Sequence, residues 1–317
     1  MLLTLLACQA PATFSDAQTA VAQTAAARVN GSALMDHVKN LIEGRVAEEP
    51  YQPPESRYAG MTFTHLNSAD YVAGVLASYG LTPVVTVPDG ERGLKTVTAD
   101  IPGASHADEI VLVSAHHDAW YFGADDNASG VAVILEVARV LADTNPDRTI
   151  RIASFDREEE GLVGAAAYAD AGTDGLYRIV NLDSVAYTDS TPGSQKSILG
   201  LDAPDTGDFL AVIAAEGSQD DLAAVLALGP TLPQPVKTAG VLANGTAHSA
   251  LETDLLRSDH APFWARGVGG VFLTDTTEFR NPKYHTPEDT LETLDPEFFT
   301  QVGGFTAAIV AAYAEAE

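Results

Sequence analysis

From residue 96 onward, short apolar runs alternate with segments of helical periodicity, and this alternation constrains the fold more than any other feature of the chain. The runs cover 96–101, 110–115, 149–155, 179–182 and 270–273. Each is short, and nearly continuous apolar character is what strands covered on both faces require. Between the second and third, 131–141 reads as a strongly apolar helix, and Asp295-Pro296 opens a last helix that continues to Tyr313. Strands separated by helices imply an α/β fold with a single, mostly parallel (mixed) sheet flanked by helices on both faces. At 317 residues the chain accommodates one such domain and not comfortably a second.

Upstream the pattern differs. Residues 9 to about 29 are rich in Ala, Gln and Thr and read as a tether or frayed helix, and 32–47 reads as an amphipathic helix. The stretch Glu48-Glu49-Pro50-Tyr51-Gln52-Pro53-Pro54 breaks that periodicity and places a boundary. The resulting division is a signal remnant over 1–8, an N-terminal tether and helix over 9–54, and the main domain over 55–317. In 67–79, Tyr71, Val72, Val75, Leu76 and Tyr79 lie at helical spacing, and Gly80 supplies the stop.

Cys8 is the only cysteine, so neither an intramolecular disulfide nor a thiolate metal cage is available. The preceding Leu2-Leu3-Thr4-Leu5-Leu6-Ala7 is apolar and ends in a small residue. It resembles the tail of a bacterial lipoprotein signal, in which that cysteine becomes the lipidated N-terminus; simple export and an unprocessed N-terminus are the alternatives. The expectation is a cell-envelope protein, periplasmic or membrane-anchored, or a secreted one. No later apolar run approaches membrane-spanning length. With 17 Lys+Arg against 44 Asp+Glu, the formal charge of −27 opposes contact with nucleic acid and with anionic membranes, and otherwise reads as a solvated surface.

The residues with chemistry gather after the strands. In Ala115-His116-His117-Asp118, extended residues i and i+2 share a face, so Asp118 can reach the ring nitrogen of His116 that does not face a metal, while His117 points the other way. Asp126 follows within Asp125-Asp126-Asn127-Ala128-Ser129-Gly130; such residues cap helices, but a carboxylate held by a tight turn can also bridge two cations. The charged run Asp156-Arg157-Glu158-Glu159-Glu160 is squeezed between a buried strand and a glycine-punctuated helix start, where uncompensated carboxylates are costly. A metal resolves that conflict, with one glutamate coordinating and its neighbour moving protons. Asp183 ends a further strand, and His285 lies in the polar loop 284–290. Together these residues make five ligands, three carboxylates and two imidazoles. Open α/β sheets bind ligands beyond the carboxyl ends of their strands, which lets these dispersed motifs converge in one crevice.

Over about residues 56–294 these motifs resemble the zinc aminopeptidases of the clan MH metallopeptidases, a group that includes bacterial leucyl-type aminopeptidases and glutamate carboxypeptidases. The resemblance implies a co-catalytic zinc exopeptidase fold with two Zn2+ ions. By position it implies that His116 and Asp183 hold one zinc, Glu159 and His285 the other, and that Asp126 bridges them. It further implies Glu158 as general base, Asp118 as the partner of His116, and Tyr284 as a hydrogen-bond donor to the tetrahedral oxyanion. Arg257-Ser258-Asp259-His260-Ala261-Pro262-Phe263 resembles a segment near the substrate pocket, in which the arginine contacts substrate oxygen; as alternatives, Asp259 caps a helix and Tyr284 packs. The ten-residue gap from His116 to Asp126, with Trp120 and Phe122 inside it, is closer to the glutamate carboxypeptidase branch, yet residues 56–95 leave no room for that branch's inserted domain.

The expected activity is hydrolysis of the N-terminal peptide bond of a peptide or dipeptide. A glutaminyl cyclase-like transferase using one zinc and a receptor-like binding module without catalysis are the other classes. The first needs fewer ligands than are present, and the second loses ligands or base.

Overall fold

The computed structural model describes residues 12–50, 61–87, 94–197, 204–243 and 253–316. Cys8 and the apolar segment before it, and the greater part of the Pro-rich break before residue 55, lie outside the described residues. In chain order the elements are α1 (Asp16–Ala27), α2 (Gly31–Val46), β1 (Phe63–Thr64), α3 (Leu66–Ser78), β2 (Val84–Thr86), β3 (Thr96–Ile101), β4 (His106–His116), β5 (Ala119–Trp120), α4 (Gly130–Leu141), β6 (Arg148–Phe155), α5 (Val163–Ala171), β7 (Leu176–Leu182), β8 (Leu210–Ala215), α6 (Gln219–Leu228), β9 (Thr238–Ala243), α7 (Ala261–Trp264), β10 (Gly270–Thr274) and α8 (Pro296–Ala314).

Eight strands form one mixed sheet in the order β2-β3-β6-β4-β7-β10-β8-β9. The central four, β6, β4, β7 and β10, are mutually parallel, while β3 joins β6 and β8 joins β10 in antiparallel fashion. All five expected strands are present in this sheet, as β3, β4, β6, β7 and β10. The alternation of side chains along each strand divides the interior into two layers. Val111, Val113, Ile150, Ile152, Val180, Leu182, Val271 and Leu273 face α2, α4 and α8, whereas Leu112, Ala153, Phe155, Ile179 and Phe272 pack with Phe263 and Trp264 of α7. The central strands are apolar on both faces because both faces are covered. Asp295 caps α8 by accepting from the backbone of Glu297 and Phe298, and Pro296 takes the first helical position, where a missing N–H costs nothing.

Of the tether or frayed helix expected over residues 9 to about 29, the structure has a helix, α1, and the tether is corrected. Ser15 and Gln18 form a reciprocal capping box at the start of α1, and Ala22 and Ala25 belong to the same core as the sheet. Gln18 Nε2 also donates to Glu315 O at 3.1 Å, tying α1 to the far end of α8. The alanines that made the segment look featureless are what permit close packing: a Cβ added at Gly304 of α8 would meet Ala26 at 3.6–4.0 Å. The boundary at 48–54 therefore does not separate a domain, since α1 and α2 complete the layer that covers the sheet.

Because Ala22 is fully buried, Ala22→Asp places an unpaired carboxylate in that layer. Its expected cost is about 3–5 kcal/mol, the range for an uncompensated buried charge, read from urea unfolding. A tether would absorb the change within about 0.5 kcal/mol, as surface positions do.

Candidate metal centre

The parallel pairing of β6, β4 and β7 aligns their carboxyl ends along one sheet edge. The chain leaves β4 through α4 to reach β6 on one side, then passes through α5 to β7 on the other. Strand order thus switches direction at β4, the topology that opens a crevice at the strand ends. His116 is the last residue of β4, Asp156 follows β6, and Asp183 follows β7.

In that crevice His116 Nε2 lies 3.3 Å from Asp126 Oδ1, 3.6 Å from Asp183 Oδ1 and 4.0 Å from Glu158 Oε2. His285 Nε2 lies 2.9 Å from Asp126 Oδ2 and 2.8 Å from Glu159 Oε2. Two trios result, His116 with Asp126 and Asp183, and Asp126 with Glu159 and His285, each with its ligand atoms within 4.8 Å of one another. Asp126 belongs to both and turns one oxygen toward each imidazole. Glu158 belongs to neither and stands beside the first.

The backbone around these ligands is held by a repeated device. Asp118 Oδ1 and Oδ2 accept from the N–H groups of Glu158 and Glu159, both at 3.1 Å. Asp289 Oδ1 and Oδ2 accept in the same way from Asp125 at 2.9 Å and Asp126 at 3.1 Å. Each carboxylate therefore fixes two successive peptides of a ligand-bearing loop. Asn127 ties that loop to the end of β7, donating to Leu182 O at 2.9 Å and accepting from Ser184 N at 3.2 Å. Asp125 is pinned by Ala186 N at 3.0 Å and Asn281 Nδ2 at 2.9 Å.

The charged run after β6 is likewise partitioned. Asp156 accepts from Lys95 N at 2.8 Å and pairs with His65 Nδ1 at 2.9 Å, and Arg157 pairs with Glu160 at 2.6 Å. That leaves Glu158 and Glu159 directed at the crevice. His116 Nδ1 donates to Asp118 O at 3.2 Å, with Asp118 Oδ1 at 3.4 Å, so Nε2 is the nitrogen offered inward. His117 turns away, its Nδ1 2.9 Å from Ser154 Oγ.

Four carboxylates and two imidazoles so placed raise an electrostatic problem. Burial pushes Glu159 up to about 7, with Asp126 adding to the effect. Burial likewise raises Glu158 well above the usual carboxylate range, with Asp183, Glu159 and Asp259 contributing against His116. For the imidazoles, burial disfavours charge, yet the surrounding carboxylates outweigh it: His285 is raised to about 11, chiefly by Glu159 and Asp126, and His116 is raised well above its usual value by Asp118, Asp126 and Asp183. The cluster demands positive charge. His116 Nε2 and His285 Nε2 have no hydrogen-bond partner among the described residues, because the short contacts to carboxylates lack hydrogen-bond geometry. Nitrogen lone pairs and carboxylate oxygens converging on two points fit zinc, which takes imidazole and carboxylate ligands readily.

Tyr284 stacks on His285 with ring centroids 3.8 Å apart and planes at 16°. Burial, with Asp126, Glu159, Asp183 and Glu158 nearby, raises its phenol well above the usual value, so the hydroxyl stays protonated and able to donate. Beside Asp183 opens a cavity lined by Arg257, Phe272, Thr276, Thr277 and Tyr284 among others. Arg257 pairs with Glu278 at that cavity and not with any of the five expected ligands. Asp259 does not cap α7: it is fully buried, and neither oxygen has a hydrogen-bond partner among the described residues. Asp289 received no role from the sequence, although it lies in the same polar loop as His285; its spacing gives no sign that it reaches back 163 positions to Asp126.

The profile of peptidase family M28 matches residues 96–310. The uncharacterized protein YfbL of Escherichia coli (strain K12) is 30% identical over 259 residues, covering 74% of this chain and 76% of that one. Among solved structures, the LapA aminopeptidase of Legionella pneumophila superposes with a TM-score of 0.70 at 15% identity, covering all of this chain and 80% of its own. BSAP, a zinc aminopeptidase from Bacillus subtilis, is 27% identical with a TM-score of 0.54; the match covers 70% of this chain and half of BSAP. The fold is also that of the Porphyromonas gingivalis glutaminyl cyclase, with a TM-score of 0.57 at 17% identity over 89% of this chain and 98% of that one.

Asp289→Asn leaves an amide that can accept through only one atom, so one of the Asp125 and Asp126 peptides loses its partner. Zinc affinity, measured by chelator competition, is expected to fall about 10- to 100-fold, the usual effect of losing a group that orients a ligand. An unchanged affinity would mean that the turn holds Asp126 unaided.

Proposed function

The chain belongs to peptidase family M28, and we propose that it is an aminopeptidase that holds two zinc ions and uses Glu158 as its general base. The observation that carries this reading is Asp126, whose two oxygens serve two separate ligand trios. In this reading His116 and Asp183 would hold one ion, Glu159 and His285 the other, and Asp126 would contribute an oxygen to each. When bound, the ions would polarise the scissile carbonyl and acidify the attacking water.

The protein's own groups account for the remaining tasks. Glu158 lies next to the His116 trio without belonging to it, and its burial raises its affinity for protons, which suits a group that takes a proton from water and returns it to the leaving amine. Asp118 performs two jobs at once, fixing the tautomer of His116 through Nδ1 and holding the Glu158 and Glu159 peptides in register with it. Tyr284, protonated and stacked on His285, donates to the carbonyl oxygen as it gains charge. The cavity between Asp183 and Tyr284 receives the side chain of the residue to be released.

A transferase of the glutaminyl cyclase type, working with one metal, is the second reading that the shared fold supports. The two readings separate on stoichiometry. Protein purified with zinc should contain close to two equivalents, and chelation should abolish peptidase activity while circular dichroism retains the α/β signature, because the sheet core is apolar and independent of metal. A single tightly bound ion, unchanged on adding zinc, favours the cyclase reading.

The adjacent glutamates provide a sharper test. Glu158→Gln removes the base and keeps all five ligands, so turnover should fall roughly 10²- to 10⁴-fold at wild-type zinc content. Glu159→Gln should lose zinc first and activity in consequence. The opposite pattern reverses the two assignments, and full activity in Glu158→Gln defeats the mechanism.

A further inference from the structure

The last turn of α2 sends Arg45 into the interior behind the metal centre, where it is 2% exposed. Its guanidinium donates from Nη1 to Phe122 O and Gly123 O, both at 2.7 Å, from Nη2 to His117 O at 3.0 Å, and from Nε to Ser68 Oγ at 3.3 Å. Among the described residues it forms no ion pair; every acceptor named is neutral. Burying an arginine in this way is costly unless its charge has distant compensation and its donors are satisfied. Both conditions trace to one place. The three carbonyls belong to residues 117–123, the span that joins His116 to Asp126. The charges that favour the cation belong to Asp118, Asp289, Asp126 and Glu159.

The span is shaped to receive it. Gly123 has a left-handed φ of 54°, and a Cβ there would meet Arg45 Nη1 at 2.9 Å and Asp126 O at 2.3 Å. A side chain would push the guanidinium and the bridging residue's own peptide apart. Arg45 thus grips the span at both ends, at His117 beside the first ligand and at Phe122 and Gly123 before the bridge. Its fork supplies parallel donors at fixed separation, which a lysine cannot reproduce.

We propose that Arg45 is a positioning residue of the metal centre, setting the distance between His116 and Asp126 and placing a fixed positive charge behind the carboxylates that hold the ligand loops. This rests on the two-zinc reading above. It also assigns a task to the N-terminal helices, which precede the first residue of the family match at position 96.

The test compares wild type with Arg45→Met, Arg45→Lys and Ser68→Ala, measuring zinc affinity by chelator competition well below the unfolding temperature, together with kcat and KM for an aminoacyl-arylamide. Arg45→Met should bind zinc about 10- to 100-fold more weakly and, when saturated with zinc, show a lowered kcat with KM within about twofold. Arg45→Lys keeps length and charge and should fall between, and it carries the test should the methionine variant fail to fold. Ser68→Ala removes the one partner outside the span among the described residues and should leave zinc affinity unchanged. A wild type that binds fewer than two zinc ions defeats the two-zinc reading itself. A wild type that binds two, with an Arg45 variant that matches it in zinc affinity and kcat but unfolds at lower temperature, overturns the proposal and leaves Arg45 a purely structural residue.

Discussion

The structure is organised around an excess of buried carboxylate. Asp118, Asp126, Glu158, Glu159, Asp183 and Asp289 converge beyond the carboxyl ends of the parallel central strands of a mixed sheet whose neighbouring layers are apolar. Charge in such surroundings is expensive unless it is paired or given hydrogen bonds, and the fold answers in two ways. Asp118 and Asp289 are each satisfied by two successive backbone N–H groups. Asp126, Glu159 and Asp183 face imidazole nitrogens across short contacts without hydrogen-bond geometry, which is the arrangement expected of groups that share cations.

The first answer makes the second possible. Ligands placed on separate loops drift unless something orients them, and a metal site's selectivity depends on that orientation. Here Asp118 and Asp289 act on the peptides of the candidate ligands and of their neighbours. His285 and Arg157 adopt positive φ, as do Leu162, Ser184, Thr276 and Thr277. These residues cluster in the loops that surround the crevice, where the packed sheet beneath can sustain backbone conformations that non-glycine residues otherwise avoid.

A formal charge of −27 makes the chain as a whole strongly acidic. Net charge of this sign disfavours contact with polyanions. Much of it still reads as a solvated acidic surface, and the site's chemistry depends on the few carboxylates that are buried.

The sequence by itself determined the sheet and the residue types that gather beyond its strands. Near-continuous apolar runs identify covered strands because both faces must be buried, and His116, Glu158 and Asp183 stand where such runs stop, a local signal needing no partner. The antiparallel strand β8 escaped because its run, Leu210–Ala215, has no preceding crossover helix among the described residues to mark it, and α1 was legible only as a tether or a frayed helix because an alanine-rich segment looks alike whether it packs against a glycine-bearing helix or hangs free. Tertiary structure alone decided which oxygen of Asp126 faces which imidazole, that Asp289 holds the bridging turn, and that Arg45 reaches the span behind it. Periodicity and residue type are properties of neighbours in the chain. The fit of a buried carboxylate or guanidinium to particular peptides is made by crossovers that bring residues 45, 126, 159 and 289 together, and only the folded chain contains that information.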